Sequence, residues 1–335
     1  MKYLVTGATG FIGGCLARQL LRAGHEVAAL VHNPGAAGDL ETDGAVLHQG
    51  DVRDKSSLRV PMSGVDGLFH LAAWYRIGVK DRGEAYPINV EGTRNVLETA
   101  LELGVPRIVY TSTVAVSSDT GGRLVDEGFR HQGPWLTEYE RTKWMAHYQV
   151  AQPMAEAGLP LVILQPGVVY GPADTSAIGT AIRQYLRGRL PATPQRSTFC
   201  WAHVEDTAAA HLLAMEQGRA GESYIVAGPV HTFREVFELA ERLTGIQAPR
   251  IHPGPGTLKA LAACMSLLGA FLPLPPTYAA ESLRVTAGTT YIGDDRKARR
   301  ELGFAPRSLE EGLRETLDHE MEQLGLVTGG SSRNS

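Results

Sequence analysis

The stretch Thr6-Gly7-Ala8-Thr9-Gly10-Phe11-Ile12-Gly13-Gly14 limits what this chain can fold into more than any other. Lys2-Tyr3-Leu4-Val5 precedes it as a short apolar run that reads as a strand. Ile12, Leu16 and Leu20 follow at helical spacing, with Ala17 and Leu21 beside them. The glycines therefore occupy a tight strand-to-helix turn. Gly7 permits the turn, Gly10 lets the backbone approach a pyrophosphate, and Gly13 lets the helix pack close on the strand. The helix N-terminus offers free N–H groups and the positive end of a dipole to phosphates. A glycine pattern alone is weak, but strand, turn and helix in that order are the context it requires.

The alternation continues. Residues 26–31, 45–48, 68–72, 107–111 and 161–164 read as further strands, and stretches near 55–60, 89–103 and 135–157 read as helices. Strands alternating with helices imply right-handed crossovers and a parallel sheet, an α/β doubly wound fold. After Pro172 the rhythm loosens, although Thr232 with Glu235 and Ser308 with Glu311 are capping boxes that start two late helices. The expected organisation is a nucleotide-binding domain over 1–171 to which later segments return. A smaller, mainly substrate-binding lobe over 172–327 and a frayed polar tail over 328–335 follow.

A chain of 335 residues can hold one large α/β domain or two intimate lobes. Its net charge of −4 suggests no broad attraction to nucleic acid or anionic lipid. Cys15, Cys200 and Cys264 are odd in number and widely spaced, so no metal site is expected and a reducing compartment is. A strand beginning at Lys2 leaves no room for a signal peptide, and a cytoplasmic location is expected. Residues 258–274 are apolar except for Lys259 and Ser266, and Pro273, Pro275 and Pro276 close them. That run is short for a membrane span. It reads as a helix lining the lobe, with peripheral contact to a membrane or a lipid substrate as the alternative and no stable insertion.

Tyr139 and Lys143 stand four apart on a helix and share a face. A free tyrosine has a pKa near ~10. A nearby ammonium favours its phenolate, so the pair can tune a phenol for proton transfer. The fifth strand ends in Thr111-Ser112-Thr113-Val114-Ala115-Val116.

The G-x-x-G-x-x-G turn, this hydroxyl-rich strand end and the Tyr-x-x-x-Lys pair together resemble the short-chain dehydrogenase/reductase superfamily. The wording of Thr6 to Gly13 resembles its extended branch, the NAD-dependent epimerase/dehydratase family. The resemblance implies a Rossmann-type fold and a catalytic triad of Thr113, Tyr139 and Lys143. In it Tyr139 is the acid/base, Lys143 holds the nicotinamide ribose and lowers the tyrosine pKa, and Thr113 hydrogen-bonds the substrate oxygen. Ser112 is the alternative to Thr113. Implied dinucleotide contacts are Gly7, Thr9, Gly10, Phe11, Ile12 and Gly13, then Asp51 and Val52 near the adenine. Leu71, Ala72, Ala73, Thr111, Lys143, Pro166, Gly167 and Val169 complete the set. Asn89 opens the helix beneath the site or is only a helix cap. Family members commonly pair through the helices that here run near 89–103 and 135–157, so a homodimer is expected. Those helices carry Val96, Leu97, Leu101, Trp144 and Met145, which serve equally well as core.

Cofactor choice rests on the end of the second strand, where NAD-specific folds place an acid for the ribose 2′-hydroxyl. This chain has Val31-His32-Asn33 there. The missing acid favours NADP(H), with His32 a weaker phosphate partner than arginine, and NAD(H) stays possible. Ala72-Ala73-Trp74-Tyr75-Arg76 and Tyr110-Thr111-Ser112 resemble dihydroflavonol-reductase-like and hopanoid-associated sugar-epimerase-like bacterial proteins. Nucleotide-sugar epimerases carry R-x-x-N-x-x-G-P where this chain has Gln165 to Pro172, with Val168 at the asparagine position. Trp74, Tyr75 and Tyr170, and with them Phe199 and Trp201, are aromatic candidates to meet substrate, the last two equally lobe core. The implied reaction is hydride transfer to a ketone or aldehyde of an apolar ring-type small molecule, or oxidation of the alcohol. A sugar epimerase or dehydratase, and a non-catalytic NADP-sensing binding protein, are the alternatives.

Overall fold

Alternating apolar runs and amphipathic helices give a layered α/β structure, seen in a computed structural model that describes residues 1–271 and 279–326. The tail at 328–335 and the prolines at 273, 275 and 276 lie outside the described residues. The first half runs β1 (Lys2–Thr6), α1 (Phe11–Arg22), β2 (Glu26–Val31), α2 (Gly38–Thr42), β3 (Val46–Gln49), α3 (Lys55–Met62), β4 (Gly67–His70), α4 (Thr93–Glu102), β5 (Ile108–Thr111), α5 (Glu138–Met145), α6 (Gln152–Glu156) and β6 (Leu161–Pro166). Then follow β7 (Val168–Tyr170), α7 (Ala177–Leu186), β8 (Thr198–His203), α8 (Val204–Gln217), β9 (Ser223–Val226), β10 (Val230–Thr232), α9 (Phe233–Thr244), α10 (Pro255–Phe271), α11 (Ala280–Val285), β11 (Thr290–Tyr291), α12 (Arg296–Leu302) and α13 (Leu309–Gln323).

Seven strands form one parallel sheet in the order β3-β2-β1-β4-β5-β6-β9. Its central strands are mostly apolar and buried because helices cover both faces. Leu16, Leu20, Ala208, Ala214 and Leu302 pack one face from α1, α8 and α12. Leu58, Met62, Val96, Leu97 and Ala100 pack the other from α3 and α4. The sequence after residue 171 thus returns α8, β9 and α12 to the first layer. The strand order reverses between β1 and β4, which opens a crevice at their carboxyl ends where ligands of such sheets bind.

A second cluster holds β10-β8-β11, with β7 paired to β8, under α7, α9 and α13. Both capping boxes form, at Thr232–Glu235 and Ser308–Glu311. Leu258 and Ala262 of α10 pack on Leu283 and Ala287 at α11. Among the described residues, no helix is long and apolar enough to cross a membrane.

Two local expectations change. The helix expected from 135 begins at Glu138, because Thr137 accepts the Glu140 N–H as N-cap and the Leu136 N–H is taken by the Glu140 carboxylate. Asn89 does not open or cap a helix. It sits within a π-helical turn, Pro87–Gly92, that runs straight into α4. A second π-turn, Ala146–Ala151, joins α5 to α6. Such turns are rare and occur most often beside functional sites.

Candidate active site

The glycine turn crosses the end of β1. Gly7 has φ 74°, and a Cβ there would stand 2.6 Å from the Ala72 nitrogen. A Cβ on Gly13 would stand 2.1 Å from the Gly7 carbonyl oxygen. Both glycines are therefore demanded by the protein's own backbone. Gly10 differs: a Cβ there would meet only the Gly7 oxygen, at 3.2 Å. Thr9 and Gly10 are exposed, Phe11 and Ile12 half-buried, and the first turn of α1 carries no acid. That turn's N–H groups have no intrahelical acceptors, so the cradle fits a pyrophosphate. Gly10→Val should keep the fold and weaken dinucleotide binding. Each charge-assisted hydrogen bond lost is worth roughly 1.5–3 kcal/mol, about ten- to hundredfold in affinity. Equal dissociation constants for variant and parent would move the site elsewhere.

The three hydroxyls at the end of β5 separate in space. Thr111 Oγ1 is hydrogen-bonded to His211 Nε2 at 2.8 Å. Ser112 Oγ is hydrogen-bonded to His147 Nδ1 at 2.8 Å and is 3% exposed. Of the three, Thr113 is the one whose hydroxyl acts on the Tyr139 phenol, favouring its ionised form. Thr113 also accepts the Ala115 N–H at 3.1 Å as the cap of a short 3₁₀ turn, Val114–Ser117. The Ser112 oxygen is thus engaged in the helix layer by His147.

Lys143 is buried. Its Nζ donates to the Tyr110 hydroxyl at 3.0 Å and to the Thr111 carbonyl at 2.8 Å. An ammonium has three donors, so one remains for a ribose hydroxyl. Burial pushes the Lys143 amine down to about 7. The Tyr139 phenol is raised, first by burial and then by the neighbouring Tyr75, with the Thr113 hydroxyl acting against both. The lysine spends its donors on β5, and desolvation outweighs any field it exerts on the phenol.

The aromatic candidates also divide. Tyr75 is 53% exposed, and its ring meets Tyr139 edge-to-face with centroids 4.8 Å apart. Trp74 is buried, its backbone pinned by Asn89, which accepts the Trp74 N–H at 2.7 Å. Asn89 also donates to the Trp74 carbonyl at 3.1 Å and to Thr142 on α5 at 2.9 Å. Tyr170 is a correction: it is 1% exposed and packs edge-on against Trp201 and His203 in the lobe core. Phe199 stacks on Tyr291, and the Trp201 Nε1–H donates to the His231 carbonyl at 3.0 Å. These three rings fill the lobe because β7 and β8 turn them into its core.

At the far end of the crevice, His32 follows β2, highly exposed, with Nε2 3.7 Å from Asp51. The Arg53 guanidinium, 2.6 Å away, holds the Asp51 carboxyl below its ordinary value. The Val52 side chain is buried against Gly92. Leu71 and Ala72 are half-buried and Ala73 exposed beside the glycine turn. Pro166 is buried, while Gly167 and Val169 are half-buried. Next to them the Gln165 Nε2 is buried and, among the described residues, without a hydrogen-bond partner.

Sequence reasoning missed two carboxylates that bracket Tyr139. Glu140, 2% exposed, accepts from the Ser118 hydroxyl at 2.9 Å, the Leu136 N–H at 3.1 Å and the Tyr291 hydroxyl at 2.5 Å. Burial pushes its carboxyl up. Ser118 has φ 48° and ψ −147°, a conformation costing roughly 1–3 kcal/mol for a residue with a side chain. Glu281 of α11, 5% exposed, accepts the Glu138 N–H at 2.9 Å and the Gly78 N–H at 2.7 Å. The lobe thus grips the start of α5 on both sides of Tyr139. No local pattern in the sequence marks either glutamate.

A doubly wound sheet, a dinucleotide cradle at its switch point and a Thr-Tyr-Lys cluster at the next strand end define an NAD(P)-dependent oxidoreductase of the extended short-chain dehydrogenase/reductase class. The chain belongs to the NAD-dependent epimerase/dehydratase family, whose family model matches residues 3–227. It is 34% identical to sterol demethylase protein B of Methylococcus capsulatus, over 92% of this chain and 94% of that one. It is 33% identical to a putative dihydroflavonol 4-reductase of Synechocystis sp., over 97% and 96%. Among solved structures, the dTDP-glucose 4,6-dehydratase DesIV of Streptomyces venezuelae, with NAD and TYD bound, superposes with TM-score 0.78 at 26% identity, over 97% and 98% of the chains.

Proposed function

We propose that this chain reduces a ketone or aldehyde carbon on an apolar, ring-bearing small molecule, with NADPH preferred over NADH. The observation that carries the reading is the position of Tyr139, beside the Thr113 hydroxyl and faced by the exposed ring of Tyr75. A tyrosine is a neutral phenol at ordinary pH, so one placed there can give a proton to a substrate oxygen. The names of the sterol and dihydroflavonol relatives point to fused or aromatic rings as the substrate class.

The dinucleotide, when bound, supplies the hydride. Gly7 to Gly13 and the start of α1 bind its pyrophosphate, and the third donor of Lys143 holds its ribose. Tyr139 gives its proton to the carbonyl oxygen as charge develops there, and the Thr113 hydroxyl donates to the same oxygen. Tyr75 lies against the substrate ring and helps to exclude water. The preference for NADPH rests on the absence of an acid at the end of β2 and on His32 and Arg53 beside it, two groups that can face a 2′-phosphate. Three unpaired cysteines support a reducing, cytoplasmic setting.

The test is a screen of the purified protein with NADPH and NADH against ring ketones, aldehydes and nucleotide sugars. Loss of absorbance at the reduced-nicotinamide band with a ring ketone is the expected result. NADPH should bind at least about tenfold more tightly than NADH, one charge-assisted contact being worth that much. Sugar conversion without net cofactor consumption would replace this reading with an epimerase or dehydratase, and binding without turnover would replace it with a sensor.

A homodimer through α4 and α5 belongs to the same proposal. Leu101 is 59% exposed on α4, and Trp144 on α5 packs between Trp135 and Tyr148. Val96 and Leu97 are core and take no part. Sedimentation at micromolar concentration should give twice the chain mass.

A further inference from the structure

The hairpin of α10 and α11 has a surface that neither the dinucleotide site nor the dimer helices use. Helix α10 touches the rest of the protein through Leu258 and Ala262, with Met265 partly buried beside them. Its remaining described face is open: Ala260, Ala263 and Cys264 are exposed, Leu261 is 36% exposed and Leu267 73%. The sequence carries no charge from residue 260 to residue 280. An exposed helix of this kind is apolar on the side that faces water, the reverse of an ordinary surface helix.

The charges near its amino-terminal end are mostly positive, Glu241, which accepts the Ala248 N–H at 3.0 Å, being the acid beside them. Residues 187–196 lie alongside 251–253, joined by Thr193 N–H to the Ile251 carbonyl at 3.1 Å and Gln195 N–H to the Pro253 carbonyl at 3.2 Å. Across 187–196 and 246–284 the sole acid is Glu281, which is buried and bound to backbone N–H groups. The cations of those segments, Arg187, Arg189, Arg196, Arg250, Lys259 and Arg284, are all exposed. Ile251, 65% exposed, adds an apolar side chain to this edge. A chain with net charge −4 thus gathers a basic rim at the amino-terminal end of one apolar helix.

We propose that α10 docks this protein on an anionic lipid bilayer, lying in the interface with Leu261 and Leu267 among the acyl chains and the basic rim on the headgroups. Apolar area and cationic surroundings are the two contributions that hold interfacial helices on membranes. A second copy of the chain would meet like charge on this edge, and an apolar protein partner would leave the basic rim without a counterpart. Through Glu281 the hairpin is tied to the Glu138 N–H, next to Tyr139, so docking sets the mouth of the site beside the membrane.

The test is flotation of the full chain with vesicles of phosphatidylcholine alone and of phosphatidylcholine mixed with phosphatidylglycerol. Binding to the mixed vesicles is expected, weakening as salt rises. Each cation near such a surface multiplies partitioning by about fivefold, so Arg189→Ala with Arg196→Ala should lower it by about 25-fold. Leu261→Glu with Leu267→Glu should lower it at least as far while dinucleotide affinity stays at the parental value. An environment-sensitive dye on Cys264 gives a readout that does not depend on a variant folding, and a blue shift on the mixed vesicles is expected. No binding to either vesicle, binding untouched by the leucine changes, or no dye shift overturns the proposal. So does a dimer in solution that the leucine changes convert to monomer, because a second copy would then be the occupant.

Discussion

Tyr139→Phe should lower kcat on a verified carbonyl substrate by about 10² to 10⁴, the range for losing a positioned proton donor. The change removes one hydroxyl and keeps the ring. The edge-to-face contact with Tyr75 at 4.8 Å survives, and only the interaction of the phenol oxygen with the Thr113 hydroxyl is lost. Dinucleotide binding should stay near parental, because the lysine that serves it is held by Tyr110 and Thr111 and not by Tyr139. Lys143→Met should behave differently. It removes the remaining ribose donor, so turnover and cofactor affinity fall together. It also removes a buried amine that desolvation has pushed down to about 7, so the folded state should not suffer in proportion. Steady-state rates with separate dissociation constants distinguish the two patterns. Parental kcat in Tyr139→Phe would reduce the active-site assignment to a shared nucleotide fold.

Acid should unfold the protein well above the pH at which ordinary carboxylates titrate. Four histidines are buried and held neutral: desolvation pushes His70 and His147 down to about 3, and His203 and His211 down to about 4, from an ordinary 6.5. His70 is bonded to Thr6 at 2.7 Å and Thr93 at 3.1 Å, and His211 to the Thr207 carbonyl at 2.7 Å as well as to Thr111. The charge of Lys143 adds to the depression at His70 and His147, and that of Arg307 at His203, where Asp206 and Glu205 oppose it. A folded pKa below the unfolded one means that the unfolded chain binds more protons in between. Stability is thus complete above about 6.5 and is lost as pH falls toward the folded values. The raised carboxyls of Glu127, Glu140 and Asp174 pull the other way, with smaller displacements. Each histidine contributes up to about 1.4 kcal/mol per pH unit. A net loss on the order of 5 kcal/mol between pH 6.5 and 5 is a large part of a typical total of roughly 5–15 kcal/mol. The urea midpoint should therefore drop steeply across that interval, and His211→Gln should flatten the slope by about one proton. A midpoint unchanged between pH 7.5 and 5 would show that the histidines are already charged in the native state.

The amino-acid sequence by itself determined the features that local chemistry encodes. The glycine turn, the strands and helices around it, both capping boxes and the Tyr139–Lys143 pair are legible because each depends on residues a few positions apart, where periodicity and turn sterics act. The tertiary structure alone decided which hydroxyl of Thr111-Ser112-Thr113 faces the phenol, since that depends on His211 and His147 arriving from other helices. It also decided that Tyr170, Phe199 and Trp201 are core while Tyr75 stands at the site, because an aromatic side chain reads the same in sequence whichever way its strand faces. Glu140 and Glu281 were invisible for a related reason. Their partners, Tyr291 and the Glu138 N–H, lie far away along the chain, and a carboxylate acquires its role only when folding closes that distance and removes the water between them.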